Sequence, residues 1–173
     1  IFQHSPNILV TRRDSGIFSP YELQGKTIMM PTDPISGIAV KAMIMESLGS
    51  LDSVTILPHS FGDELLGFPA DAVAGCLSSV PFLYKQKGLP FNIIDPRSYG
   101  IDLYGDNLYT TEQEIQEHPE RVEKVRRATL SGWTYALQHK EEIIDLIRGK
   151  YNPGLDREKL GFESKVVEQM ILP

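Results

Sequence analysis

Ser19-Pro20-Tyr21-Glu22-Leu23-Gln24-Gly25-Lys26-Thr27-Ile28-Met29-Met30-Pro31-Thr32-Asp33-Pro34 is the stretch that decides the fold class. Ser19 at N-cap, Pro20 at the first helical position and Glu22 at the third form a capping box, so a helix opens here. Gly25 stops that helix early, and Lys26 to Met30 reads as a buried strand. A second helix start follows at once, because Thr32 or Asp33 can cap it and Pro34 supplies the fixed φ of a first turn. Helix, strand and helix in so short a run point to an alternating α/β architecture.

The same alternation extends in both directions. Upstream, the apolar run Ile8-Leu9-Val10 ends at the turn signal Asp14-Ser15-Gly16. Downstream, Ile38, Ala42, Met45 and Leu48 recur at helical spacing, with Gly49 suited to the position after the helix. Val54 to Leu57, Asp71 to Ala74 and Phe91 to Ile94 read as further strands. Between them, Asp63 can cap a short helix through Leu66, and Ser78 or Ser79 another that ends near Gly88. Short strands alternating with helices predict parallel pairing, and their continuously apolar character predicts a sheet covered on both faces.

After Gly100 the pattern changes. Ile101 to Tyr109 reads as strand-like, Thr111-Glu112-Gln113-Glu114 as a second capping box, and His118-Pro119 as the start of a long helix. In that helix Val122, Val125, Thr129, Gly132, Trp133 and Ala136 form one stripe, with Glu120–Lys124 and Glu123–Arg127 pairs opposite. A third helix holds Ile143 to Ile147 and a fourth runs from Asp156 towards Met170, joined by the turn Tyr151-Asn152-Pro153-Gly154. These stripes have no sheet of their own. The expectation is that those around Val125, Trp133 and Ile147 are buried against another chain or a rearranged sheet, so homo-oligomers are among the expected partners.

Composition bounds the function. The chain has 173 residues, with 17 Lys+Arg against 23 Asp+Glu and a formal charge of −6. An acidic chain without a basic run is a poor partner for nucleic acid, whose phosphates supply most of the affinity. No apolar run approaches the roughly 20 residues that a membrane-spanning helix needs. One cysteine, Cys76, excludes an internal disulfide and any cysteine-based zinc site. The Walker, Rossmann, H-E-x-x-H and G-x-S-x-G signatures are absent, and no cofactor or metal is expected. The chain opens at Ile1 without Met or a targeting segment, and reads as beginning inside a strand.

Two turns that follow strands carry the best ligand-binding signal. Pro31-Thr32-Asp33-Pro34-Ile35-Ser36-Gly37 follows a buried strand and opens a helix, so free backbone N–H groups lie at the strand's C-terminal end, where open α/β sheets take ligands. Thr32, Asp33 and Ser36 add polar groups, and Gly37 permits close approach, although every βα unit produces such a turn. Gly75-Cys76-Leu77-Ser78-Ser79 is a second place of this kind, where small residues leave room for a ligand, and Phe61-Gly62-Asp63 completes a rim. Cys76 lacks a sequence-local base and suits a small hydrophobe better than a nucleophile. His4 and His59 lie in loop or strand-end settings open to ligand contact, whereas His118 and His139 suit helix-end or surface roles. Phe2, Tyr99, Tyr104 and Tyr109 can stack on a flat ligand or pack in a core. Asp102 and Asp106, around Tyr104-Gly105, suit structural roles better than acid–base work.

Several of these segments resemble one family. Ser19 to Ile28 is similar to the "s-p-x-d-L-k-G-k-x-i/v" segment of type II periplasmic solute-binding proteins, in the branch handling aliphatic sulfonates, nitrate and thiamine pyrimidine precursors. Asp71-Ala72-Val73-Ala74 with Pro81-Phe82 resembles that branch's "v-D-A-x-x-x…e-P-f" segment. Gly105 to Thr111, His118 to Val122 and Trp133 to Leu137 resemble its return strand and following helices. Asp95 to Ile101 resembles copies fused to bacterial histidine kinases and diguanylate cyclases.

The resemblance implies a periplasmic binding protein type II-like α/β fold with one complete lobe and an incomplete second lobe. Residues 1–13 and 101–111 would be hinge or crossing strands, 14–100 the ligand-binding lobe, and 112–173 helices of the other lobe. The first half of that other lobe would lie N-terminal to Ile1. The implied activity is binding without turnover, in the periplasm, by closure of an interlobe cleft on a pyrimidine-like or sulfonate-like small molecule. The candidate ligand contacts, read from the residues themselves, are His4, Thr32, Asp33, Ser36, Gly37, Gly75, Cys76 and Tyr104. The implied partner is a membrane permease or a fused kinase or cyclase domain. Two alternatives share the fold: an enzyme of pyrimidine-precursor synthesis, whose cysteine-rich iron-associated motif Gly75-Cys76-Leu77 does not match, and a cytoplasmic effector domain of a transcription regulator.

Overall fold

The computed structural model describes residues 1–33, 35–59 and 70–171. The chain divides into two compact units, one of Ser5–Leu103 and one of Ile1–His4 with Tyr104–Pro173.

The first unit is built on a mixed five-stranded sheet. Its strands are β1 (Asn7–Arg12), β2 (Thr27–Pro31), β3 (Thr55–His59), β4 (Ala72–Cys76) and β5 (Phe91–Ile94), in the order β3-β2-β4-β1-β5. β2 pairs in parallel with β3 and β4, as alternation predicts. β1 departs from that prediction, because it runs antiparallel to both β4 and β5. Sequence alternation constrains the direction of strands joined by crossover helices, and β1 is joined to β2 by a turn and the 3-10 segment Pro20–Leu23 instead. Helices α1 (Ile38–Leu48) and α2 (Val80–Gln86) complete the unit.

The two faces of this sheet bury separate clusters. Leu9, Ile28, Met30, Ala72 and Ala74 pack with Val40, Met43 and Ile44 of α1, together with Leu23 and Ile17. Ile8, Val10, Met29 and Val73 pack on the other face with Val80 and Tyr84 of α2. The period-2 split of Ile8 and Val10 from Leu9 is the alternation that a strand imposes on its side chains. Burial on both faces matches the apolar strand sequences.

Local signals resolve unevenly. Glu22 reaches back to accept the Ser19 N–H at 2.7 Å, the capping-box contact, but the segment it opens is a 3-10 turn, Pro20–Leu23. α1 starts at Ile38, later than Thr32 or Asp33 would set it. The Asp33 carboxylate accepts the Ile35 N–H at 2.8 Å and the Ser36 hydroxyl at 3.0 Å, so it closes its own turn. Gly37, at φ 84°, is the N-cap instead, in the left-handed region that residues with a Cβ rarely enter. Pro34, the Asp63–Leu66 helix and the Phe61-Gly62-Asp63 rim lie outside the described residues.

The second unit is helical: α3 (Glu112–Glu117), α4 (Pro119–Gln138), α5 (Lys140–Leu146), a π turn over Ile147–Tyr151, and α6 (Arg157–Ile171). The Thr111 hydroxyl accepts the Glu114 N–H at 3.1 Å, the N-cap contact predicted there. Glu123 pairs with Arg126 rather than Arg127, through two bonds of 2.9 Å, because the nearer guanidinium meets both carboxylate oxygens. Lys140 reaches Glu168 at 2.6 Å, and Arg157 binds both Glu141 and Asp145, which ties α5 to α6.

Residues 101–111 hold no assigned strand, contrary to expectation. Their backbone pairs only briefly with the N-terminal segment: Phe2 N–H donates to Asp106 C=O and Gly105 N–H to Phe2 C=O, both at 3.1 Å. A Cβ at Gly105 would stand 2.7 Å from Phe2 Cβ and 2.8 Å from the His4 carbonyl oxygen, so this approach requires glycine. Phe2 meets Trp133 edge to face, with centroids 5.4 Å apart.

Among the described residues the strands lie between residues 7 and 94, and none belongs to the helical unit. Val125 is half exposed, and α4 buries none of its residues fully. Trp133, Ala136, Ile143, Ile147, Leu160 and Val167 instead line an open apolar groove of about 430 Å³. Among the described residues no helix is long and apolar enough to cross a membrane.

Candidate ligand site at the strand ends

Strand direction and register bring four chain segments to one end of the sheet. β2 ends at Pro31, opposite His59 at the end of the parallel β3. β4 ends at Cys76, opposite Asn7 at the start of the antiparallel β1. The turn 32–37 and the segment 76–79 leave the sheet here, as the C-terminal ends of parallel strands require.

The turn after β2 presents its side chains outward. Thr32 and Asp33 are exposed, Ser36 is partly so, and Ile35 is 74% exposed, which is unusual for a large apolar residue beside a buried strand. Hydrogen bonds from the Ile35 N–H first, and then from the Ser36 hydroxyl, hold the Asp33 carboxyl below the usual carboxylate range. Asp33 is therefore held as an anion by the N–H and hydroxyl groups of its own turn. Asn7 accepts the Gly37 N–H on its Oδ1 at 2.8 Å and fixes the far end of the turn.

The segment after β4 is more tightly occupied than its small residues suggest. A Cβ at Gly75 would stand 2.4 Å from Val80 Cγ2, so the space beside Gly75 is filled by α2 and not held open. Cys76 is half buried, and its carbonyl accepts the Ser79 N–H at 3.0 Å. Ser79 precedes α2 without a side-chain cap. His59 is 4% exposed, and its Nε2 lies 2.8 Å from the Ala74 carbonyl oxygen. A carbonyl only accepts, so Nε2 carries the proton and the ring bridges β3 to β4 across the end of β2.

Of the eight sequence-derived contacts, Thr32, Asp33, Ser36, Gly37, Gly75 and Cys76 gather at this end of the first unit. His4 and Tyr104 belong to the second unit, His4 half buried and Tyr104 72% exposed. Asn7 and Ile35 are additional residues at the site. Asn7 carries no local motif, because its contact with Gly37 spans 30 positions. Among the described residues no group of three or more His, Cys, Asp or Glu side chains is placed to hold a metal ion. The arrangement offers hydroxyls, one carboxylate, a helix N-terminus and an apolar side chain, a set suited to holding a small polar or flat molecule.

Residues 1–143 match the family model described as NMT1/THI5 like. The chain belongs to that family. A formylaminopyrimidine-binding protein from Halalkalibacterium halodurans is 25% identical over 133 residues, which is 75% of this chain and 40% of that protein. The periplasmic aliphatic sulphonate binding protein SsuA from Escherichia coli superposes with a TM-score of 0.72 at 11% identity, over 95% of this chain and 52% of that one. The desulfurization enzyme DSZB superposes with a TM-score of 0.51 at 14% identity, over 98% of this chain and 67% of that one. The fold is thus that of the type II periplasmic binding proteins, and the chain spans about half or less of the length of such binding proteins. The five-stranded unit corresponds to one lobe.

Proposed function

We propose that this NMT1/THI5-like chain is a solute-binding module that holds a small molecule at the C-terminal ends of β2 and β4. The observation that carries the proposal is the outward-facing, preset 32–37 turn at that end, in a family member whose curated relative is named for binding formylaminopyrimidine. Thr32, Asp33 and Ser36 serve as polar contacts, and Gly37, its own N–H held by Asn7, permits close approach. Gly75 and Cys76 shape the neighbouring wall. His4 and Tyr104, the remaining candidate contacts, adjoin the two places where the chain passes between its units.

Asp33 favours ligands with N–H donors, such as an aminopyrimidine, over sulfonates, whose oxygens it would repel. Binding works by population shift: the two lobes of the whole protein close on the ligand to the extent that the closed form binds it better. The module acts outside the cytoplasm and passes its ligand to a membrane permease, or passes closure to a fused kinase or cyclase.

Calorimetric titration of the full-length gene product with a formylaminopyrimidine and with an aliphatic sulfonate is the test. Saturable heat with the pyrimidine supports the proposal, and no heat with either overturns it. Turnover is the second reading, favoured by the fold shared with DSZB. Recovery of the titrated pyrimidine chemically altered would establish it, and recovery unchanged supports binding alone.

A further inference from the structure

One short segment holds both loops of the proposed site. The Pro6 carbonyl accepts the Leu77 N–H at 2.8 Å, which fixes the segment after β4. The Asn7 Oδ1 accepts the Gly37 N–H at 2.8 Å, which fixes the turn after β2. On its other side, Asn7 Nδ2 donates to Ser5 Oγ at 2.8 Å, and the Asn7 N–H points to the same oxygen at 3.3 Å. Ser5 is 7% exposed and is the first residue of the sheet-bearing unit. The Asn7 carboxamide is thus anchored to a buried hydroxyl at one end and grips the residue that opens α1 at the other.

We infer that Asn7 is a positioning residue of the ligand site, acting through Gly37. Its carboxamide sets the 35–37 turn, and so the placement of Ile35 and Ser36, and ties that turn to the segment through which the chain enters the unit. The inference rests on the ligand-site proposal above. A carboxamide supplies an acceptor and a donor on one planar group, and the turn uses the acceptor while Ser5 uses the donor. An apolar residue of similar volume supplies neither. Aspartate keeps the acceptor for Gly37, and the Ser5 hydroxyl can rotate to donate to it.

Two substitutions in the full-length gene product separate positioning from packing. Hydrogen exchange of the Gly37 amide is followed by NMR without ligand, and affinity for a formylaminopyrimidine is followed by calorimetry. Asn7→Leu is expected to speed Gly37 exchange and weaken binding, each on the order of tenfold, the scale of one lost hydrogen bond. Asn7→Asp is expected to restore both to about the wild-type values. Unchanged Gly37 exchange in N7L, or failure of N7D to restore it, overturns the inference. If N7L does not fold, Asn7→Ala takes its place in the same comparison. If the wild type binds no pyrimidine, the proposed function fails, while the exchange measurement still decides the role of Asn7.

Discussion

Replacing Gly75 with alanine probes whether the β4–α2 junction is packed shut or left open for ligand. The new Cβ would stand 2.4 Å from Val80 Cγ2 and 3.6 Å from Val80 Cβ. Carbon atoms settle at about 3.5–4.0 Å, so the first contact is short by more than about 1 Å. Val80 cannot swing aside easily. It is 1% exposed, starts α2, and packs with Ile8, Val10, Met29, Val73 and Tyr84, while β-branching leaves it essentially one rotamer in a helix. Overpacking of this kind costs about 1–3 kcal/mol, offset by about 0.4–1 kcal/mol because alanine restricts the unfolded chain. A net loss of up to about 2.6 kcal/mol follows from those two ranges, or a fall of roughly 2–4 °C in Tm per kcal/mol. Circular-dichroism melts and urea titrations read both quantities. Val80→Ala removes the methyl groups in the way, so the double variant should lose less stability than the sum of the singles, by about 0.5–3 kcal/mol. A G75A protein at least as stable as the wild type, or strict additivity with V80A, would refute the packing argument.

Two further substitutions test the helical unit. Burial raises the Glu163 carboxyl above the usual carboxylate range, with Lys159 opposing weakly. The folded state therefore holds this proton more tightly than the unfolded state does. Its contribution to stability is present at low pH and is lost as pH rises from the unfolded carboxylate value through the folded one. Glu163→Gln should flatten that decline in melts between about pH 4 and pH 7, and an unchanged slope would count against it. Phe2→Ala removes the edge-to-face contact with Trp133, the chain's one tryptophan. A red-shifted emission and a loss of about 0.5–1.5 kcal/mol beyond the lost area are expected, and an unchanged emission maximum would contradict that docking.

Much of the architecture was legible because it is written locally. The Ser19-Pro20-Tyr21-Glu22 box, the apolar strands and the Thr111 cap depend on neighbours a few residues away, and their positions held within a turn. What failed depended on distant partners. The antiparallel run of β1 follows from pairing with residues 72–76 and 91–94, which no local pattern encodes. The start of α1 moved because Asp33 could close a turn as readily as cap a helix, and packing chose the turn. Residues 101–111 have strand-like composition, but a strand needs a partner along its length, and the long-range backbone bonds that reach this segment come from residues 1 and 2, at Gly105 and Asp106. At the candidate site, Thr32 to Gly37 stood out as a strand-to-helix turn, whereas Asn7 showed no signal because its bond to Gly37 joins residues far apart in the chain. Gly75 looked like open space because sequence spacing cannot show that Val80 fills it.

The central claim is that ligand binds at the strand ends of the first unit and not in the apolar groove around Trp133. Amide chemical-shift mapping of the full-length gene product during titration with a formylaminopyrimidine tests it most directly. Shifts concentrated at Thr32, Ile35 to Gly37 and Cys76 to Ser79 are the predicted result. Shifts confined to residues lining the α4–α6 groove, such as Gly132, Trp133 and Ile147, would contradict it.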